Sequence, residues 1–370
     1  TSITSITLPS TLISLGTYAF NNCTQLAEIT IPGSLSSIAD YTFQKCTNLR
    51  KLVIEEGVKT IGAYSFEGCS KLTDITIPEG VISIGDHAFH ECTSITDISL
   101  PTSILSIGNF AFQTCSSLAS IVIPEAITTI PSSAFSYCSS LKAVMLPNNL
   151  QTIGTYAFEK CAFTHIDIPN TVTHINSYAF TQCQNLTEVT IPDGVTTIGN
   201  YAFASCSNLT SVAIHEGVTS IGYGAFCSCN LQSLSLPNSL QTIGNGNVSS
   251  NEDGAFEDNV HLTEVTISSN LTKIGDVAFK GCTSLNRVTL PEGLTTIGKH
   301  AFRDCSKLQE ITFPESLITI DAAAFYNCDL RELSFPKSLQ TISDGISEGR
   351  SPFYDPYGVF GKNTEFALKN

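Results

Sequence analysis

Apolar and polar positions alternate along this chain in a unit that repeats from end to end. In one copy Leu186, Val189 and Ile191 are separated by polar residues and stop at Pro192. Val195 and the pair Ile198-Gly199 follow, and Ala202, Phe203 and Cys206 close the unit. The Phe position recurs at Phe20, Phe43, Phe66, Phe89, Phe112, Phe135 and Phe158, always 23 residues apart. Phe180 comes after a step of 22 and Phe256 after a step of 30; Phe203, Phe226, Phe279, Phe302 and Phe325 keep 23. A period in the twenties with this apolar spacing lies in the leucine-rich-repeat range.

Each unit predicts its own local structure. Ile75 and Ile77 fall on one face of a strand and Asp74 and Thr76 on the other, because strand side chains alternate. Pro78 has no N–H for the ladder and ends the strand. A turn around Gly80 leads into a second short extended piece with Val81 and Ile84 inward. Residues 86–92 read as a single tight helical or 3-10 turn that aims Ala88, Phe89 and Cys92 at the core. One such coil cannot hide its apolar face alone, whereas a stack of coils buries it continuously. The expectation is a β-rich repeat solenoid with a parallel sheet, a single domain over residues 1–370 of about 15 coils, the first of them truncated.

The regularity breaks in few places. Three coils lose a residue after Cys, at Cys161-Ala162-Phe163, Cys229-Asn230-Leu231 and Cys328-Asp329-Leu330, and read as ordinary loop trims. Two coils gain residues at one edge, over 245–254 and 344–358, and in both the Cys position becomes Asn (Asn259, Asn363).

The run Ile191-Pro192, Val195, Ile198-Gly199, Ala202-Phe203, Cys206, Leu209 and Val212 resembles the BspA-type leucine-rich repeat, and the resemblance covers essentially the whole chain. It implies a leucine-rich-repeat-like solenoid with a concave sheet, on the surface of mucosal bacteria or protist parasites. It further implies adhesion and binding of host or matrix proteins. The family defines no catalytic residues. Glu55, His215 and Ser268 depart from it by replacing the strand-ending Pro.

Composition narrows the function classes. A net charge of −15 argues against nucleic-acid binding, which needs basic patches, and against docking on anionic lipid. No run of about 18 apolar residues is present to span a bilayer. The sequence opens inside a repeat with neither initiator Met nor signal peptide, and so reads as a fragment or processed form.

The fourteen Cys first suggest disulfides or metal. One Cys per coil with no C-x-x-C pair instead indicates a small inward residue, an unpaired thiol capping backbone amides as Asn does. Cys227, alone off the column, reads as an exposed thiol. A ring column at Tyr18, Tyr41, Tyr64, His87, Phe110, Tyr156, Tyr178, Tyr201 and His300 reads as a ladder stacked on itself rather than a sugar platform. Scattered His residues and the absence of a phosphate loop give no support to catalysis, and no cofactor or metal is implied.

Two regions remain as candidate partner surfaces. The outer strand face carries Glu188, Glu264, Arg287, Glu310 and Glu332 in one column and Thr266, Thr289 and Thr312 in the next. Val122, Ala143 and Met145 break it with an apolar patch. The second insertion holds Phe353, Tyr354 and Tyr357 among prolines, an aromatic anchor set. The first, with Asn247, Asn251, Glu252 and Asp253, is acidic enough for Ca²⁺ but lacks a full ligand spacing. The reading is a non-enzymatic surface adhesion domain for a protein ligand. A structural spacer and a receptor for a small ligand stand as alternatives.

Overall fold

The computed structural model describes residues 3–244, 253–343, 360 and 367–368. They fall into two compact units, Thr1–Val172 and Thr173–Asn370. Each is a stack of coils with two columns of short parallel strands.

In the first unit Glu28–Ile31, Lys51–Ile54 and Asp74–Thr76 pair in parallel, with Glu28 opposite Lys51 and Lys51 opposite Asp74. Ser120–Val122 and Ala143–Met145 continue the same column after a gap. The second column runs through Ser37–Ile38, Thr60–Ile61, Ser83–Ile84 and Ser106–Ile107. In the second unit Glu188–Ile191 pairs with Ser211–Ile214, and Ser233–Ser235 starts a new sheet with Glu264–Thr266 and Arg287–Thr289. Wherever these strands pair, equivalent positions of successive coils lie opposite one another, so a sequence column is a physical column. The inward residues Ile29, Leu52, Val189 and Val265 are buried while their neighbours in the strand are exposed.

The segment around each Phe differs from the helical or 3-10 turn the spacing suggests: none of the described residues is helical. His87 and Glu91 on either side of Phe89 have φ of 54° and 57°, as do Tyr201 and Ser205 around Phe203 at 54° and 57°. A left-handed residue every fourth position reverses the chain, so no helical ladder propagates. Intracoil bonds such as His90 N–H to His87 C=O (3.1 Å) close single turns. The N–H groups of His87 and Phe89 instead donate to the next coil, to Asn109 and Ala111 carbonyls at 2.9 and 2.8 Å. These intercoil bonds offset a strain of roughly 1–2 kcal/mol per left-handed residue.

The Phe column forms the core of both units. Phe43 and Phe66 stack at 5.4 Å and 3°, Phe203 and Phe226 at 5.2 Å and 1°, and all four are fully buried. The fourteen Cys are all free and all buried. Their thiols serve carbonyls rather than amides: Cys69 Sγ donates to the Phe43 carbonyl at 3.3 Å and Cys305 Sγ to that of Phe279 at 3.2 Å. Cys227, expected exposed, is buried too, its Sγ 3.8 Å from Asp253 Oδ2, because the chain at the base of the first insertion folds over it.

A strand face with two grooves

The alternation of each strand sends one set of side chains outward. In the second unit Glu188, Glu264, Thr266, Arg287, Thr289 and Glu332 all sit on strands and are exposed. Glu264 lies opposite Arg287 and Thr266 opposite Thr289. Glu310 and Thr312 are exposed as expected, but their segment forms no strand. Phe353, Tyr354 and Tyr357 lie outside the described residues, as do Asn247, Asn251 and Glu252. In the first unit Lys51 reaches Asp74 at 3.8 Å, and Val122 and Met145 stand side by side, 58% and 65% exposed.

The segment of Glu310 is followed by a trimmed coil. The trimmed coil Cys328-Asp329-Leu330 arrives one residue early, and its first intercoil bonds shift to Asp329 N–H with Leu308 C=O (3.2 Å) and Arg331 N–H with Gln309 C=O (3.2 Å). At the end of the strand the usual Ile is replaced by Phe313 and Phe335, which stack at 5.7 Å and 9°. The two segments share no ladder pair. Ile267 N–H still donates to the Thr289 carbonyl at 3.2 Å, but no bond joins the equivalent Phe313 and Ser334.

Between them lies a groove of about 650 Å³. Ile311, Phe313, Leu333, Phe335 and Pro336 line its floor, and Glu310, Glu315, Arg331 and Glu332 its rim. The Arg331 guanidinium is turned to Asp329 at 3.4 Å, which leaves the rim acidic. A second groove, about 510 Å³, opens where the trimmed coil Cys229-Asn230-Leu231 interrupts pairing between Ser211–Ile214 and Ser233–Ser235. Ala213, Ile214, Leu236 and Pro237 line it, with Asp193, His215 and Glu216 at its edge. His215, standing where most coils have Pro, faces Asp193 at 3.7 Å. Sequence reasoning treated these trims as neutral; the missing residues and the two Phe were the available signal.

The other candidate columns are occupied by structural contacts. Tyr18, Tyr41, Tyr64, His87 and Phe110 stack in turn at 4.7, 4.6, 4.4 and 4.5 Å, so the ring faces cover one another. Burial, with His90 edge-on at 5.4 Å, holds the His87 imidazole below its usual value. At the foot of the first insertion the Asp253 N–H donates to Tyr201 Oη at 3.1 Å. The Glu257 carboxylate there accepts from Gly254 N–H at 2.8 Å and pairs with Lys280 at 2.5 Å. Among the described residues no group of three His, Cys, Asp or Glu is placed to hold a metal ion.

Short parallel strands in register, one left-handed turn per coil and a stacked Phe column define a leucine-rich-repeat β-solenoid. The sequence profile of the BspA-type leucine-rich repeat region matches residues 1–104, 59–187, 173–253 and 245–351, and the chain belongs to that family. A leucine-rich repeat protein from Bacteroides ovatus is similar over 99% of this chain and 92% of its own, with 26% identity and a TM-score of 0.75. A leucine-rich cell surface protein from Faecalibacterium prausnitzii is similar over 94% of this chain and 89% of its own, with 28% identity and a TM-score of 0.50. No curated protein sequence matches the chain. Among the described residues no helix is long and apolar enough to cross a membrane.

Proposed function

We propose that the chain is a single cell-surface adhesion domain, non-enzymatic, that holds a host or matrix protein on the strand face of its second unit. The observation that carries this reading is the pair of grooves on that face. Each holds an accessible apolar side chain, Phe335 in one and Ala213 in the other, beside charge and over a floor of buried apolar residues. Burial of the accessible Phe335 and Ala213 surface by a partner is favourable at roughly 25 cal/mol per Å². The surrounding Thr266, Thr289 and Thr312 hydroxyls and the Glu264, Glu310 and Glu332 carboxylates supply a polar rim of the kind found around protein interfaces. The cell-surface assignment draws on family membership and on the similar F. prausnitzii protein.

The test is binding of the purified chain to immobilised matrix and host-cell proteins, repeated as salt is raised. Retention that weakens with ionic strength is expected of an acidic face. A folded chain that retains none of them favours the spacer alternative.

A further inference from the structure

The two grooves share a construction. Each follows a trimmed coil, each has an apolar floor, and each carries carboxylates at its edge: Asp193 and Glu216 in one, Glu310 and Glu332 in the other. Between their centres lie the strands Ser233–Ser235, Glu264–Thr266 and Arg287–Thr289 and the segment of Glu310. Four intercoil steps at the usual strand spacing separate them by about 20 Å.

We propose that the face takes an extended basic polypeptide segment lying across the strands, with one Arg or Lys seated in each groove. This rests on the reading that the face binds a protein and names the chemistry of that ligand. The aliphatic stem of such a residue packs on accessible apolar surface while its charged head stays at the rim, which matches the partly exposed Phe335 beside Glu310 and Glu332. An extended chain advances about 3.3 Å per residue, so the two anchors are about six residues apart. Between the grooves Glu264 and Arg287 lie opposite one another in a register that pairs unlike charges. The Thr266 and Thr289 hydroxyls beside them are exposed donors and acceptors for the backbone of the segment. An acidic segment is disfavoured by the same rim that attracts a basic one, and like charge brought to such an interface is selected against.

The experiment uses synthetic extended peptides with two Arg six residues apart, two Arg three residues apart, or one Arg. Binding to the full chain is read by fluorescence anisotropy. The six-residue spacing is expected to bind about tenfold more tightly than either other peptide, because only it engages both grooves. Glu332→Gln and Asp193→Asn, each removing one rim charge, are each expected to bring it down to the single-Arg level, with circular dichroism confirming the fold. Equal affinity for all three peptides, or affinity unchanged in both variants, overturns the proposal. Failure of every peptide while a purified protein still binds this face overturns it and leaves the protein-binding reading standing. Failure of peptides and proteins alike overturns both.

Discussion

Asn259 Nδ2 donates to the main-chain carbonyl of Phe226 across 2.8 Å, doing in one coil what a Cys thiol does in its neighbours. It also donates to Phe256 at 3.0 Å, and its Oδ1 accepts from Leu231 N–H at 3.2 Å, a bond no thiol in the column supplies. The side chain is fully buried. Asn259→Ala therefore orphans the Leu231 N–H and the Phe226 carbonyl, while the Phe256 carbonyl keeps the Cys282 thiol, and is expected to cost about 2 kcal/mol. Asn259→Cys restores the carbonyl contact and is expected to cost less. Urea unfolding midpoints decide this; equal losses in both variants would contradict the shared role.

The Cys column makes a chemical prediction. Burial pushes the Cys46 and Cys138 thiols up to about 12, and those of Cys69 and Cys305 well above their ordinary value. The reactive thiolate is then scarce near neutral pH. A thiol reagent at about pH 8 should label the folded chain slowly and count all fourteen Cys after unfolding without reductant. A count near zero would mean disulfides and contradict the column.

His87 predicts a pH dependence. Its imidazole, between Tyr64 and Phe110, is held below the ordinary 6.5 by burial. As pH falls the unfolded chain takes the proton first, so the contribution is complete above about 6.5 and is lost as pH falls from there through the lower folded value. Burial lowers His300 in the same sense. His87→Phe is sterically compatible, because Phe110 holds the same ring position at a φ of 59°. The variant should lose less stability than the parent between pH 7 and 5 in thermal unfolding; identical pH slopes would contradict the assignment.

The groove at Phe313 predicts an exchange pattern. Phe313 makes no ladder bond to Ser334, whereas Ile267 N–H is held by Thr289. Its amide should exchange with deuterium faster than that of Ile267 even though the Phe313 side chain is buried. Adding a residue after Asp329 and replacing Phe313 and Phe335 by Ile should slow it. Exchange at Phe313 as slow as at Ile267 in the parent would remove the basis of the groove.

Much of the fold was legible because the repeats report on one another. Leu186, Val189 and Ile191 face inward because alternation allows nothing else, and the Phe and Cys columns follow from stacking. The left-handed turns were not legible: φ of about 55° at Tyr64 or His87 breaks local propensity and is held only by bonds to the next coil. The direction of the Cys thiols was hidden for the same reason, since the Phe carbonyl they serve lies 26 residues away. The outward columns at Glu264, Arg287 and Glu332 were readable from alternation alone. The grooves were not, because a missing residue after Asp329 or Cys229 looks neutral until the pairing of the neighbouring segments is seen. Phe353, Tyr354 and Tyr357 lie outside the described residues.

The central claim is that the strand face, rather than the insertions, carries binding. Its most direct test measures affinity for a bound matrix or host protein in two variants of the full chain. One reverses charge at Glu264, Glu310 and Glu332 to Lys; the other deletes residues 245–252 and 345–357. The account predicts that charge reversal weakens binding at least about tenfold while the double deletion leaves it within about twofold. Binding lost on deletion and unchanged by charge reversal would contradict it.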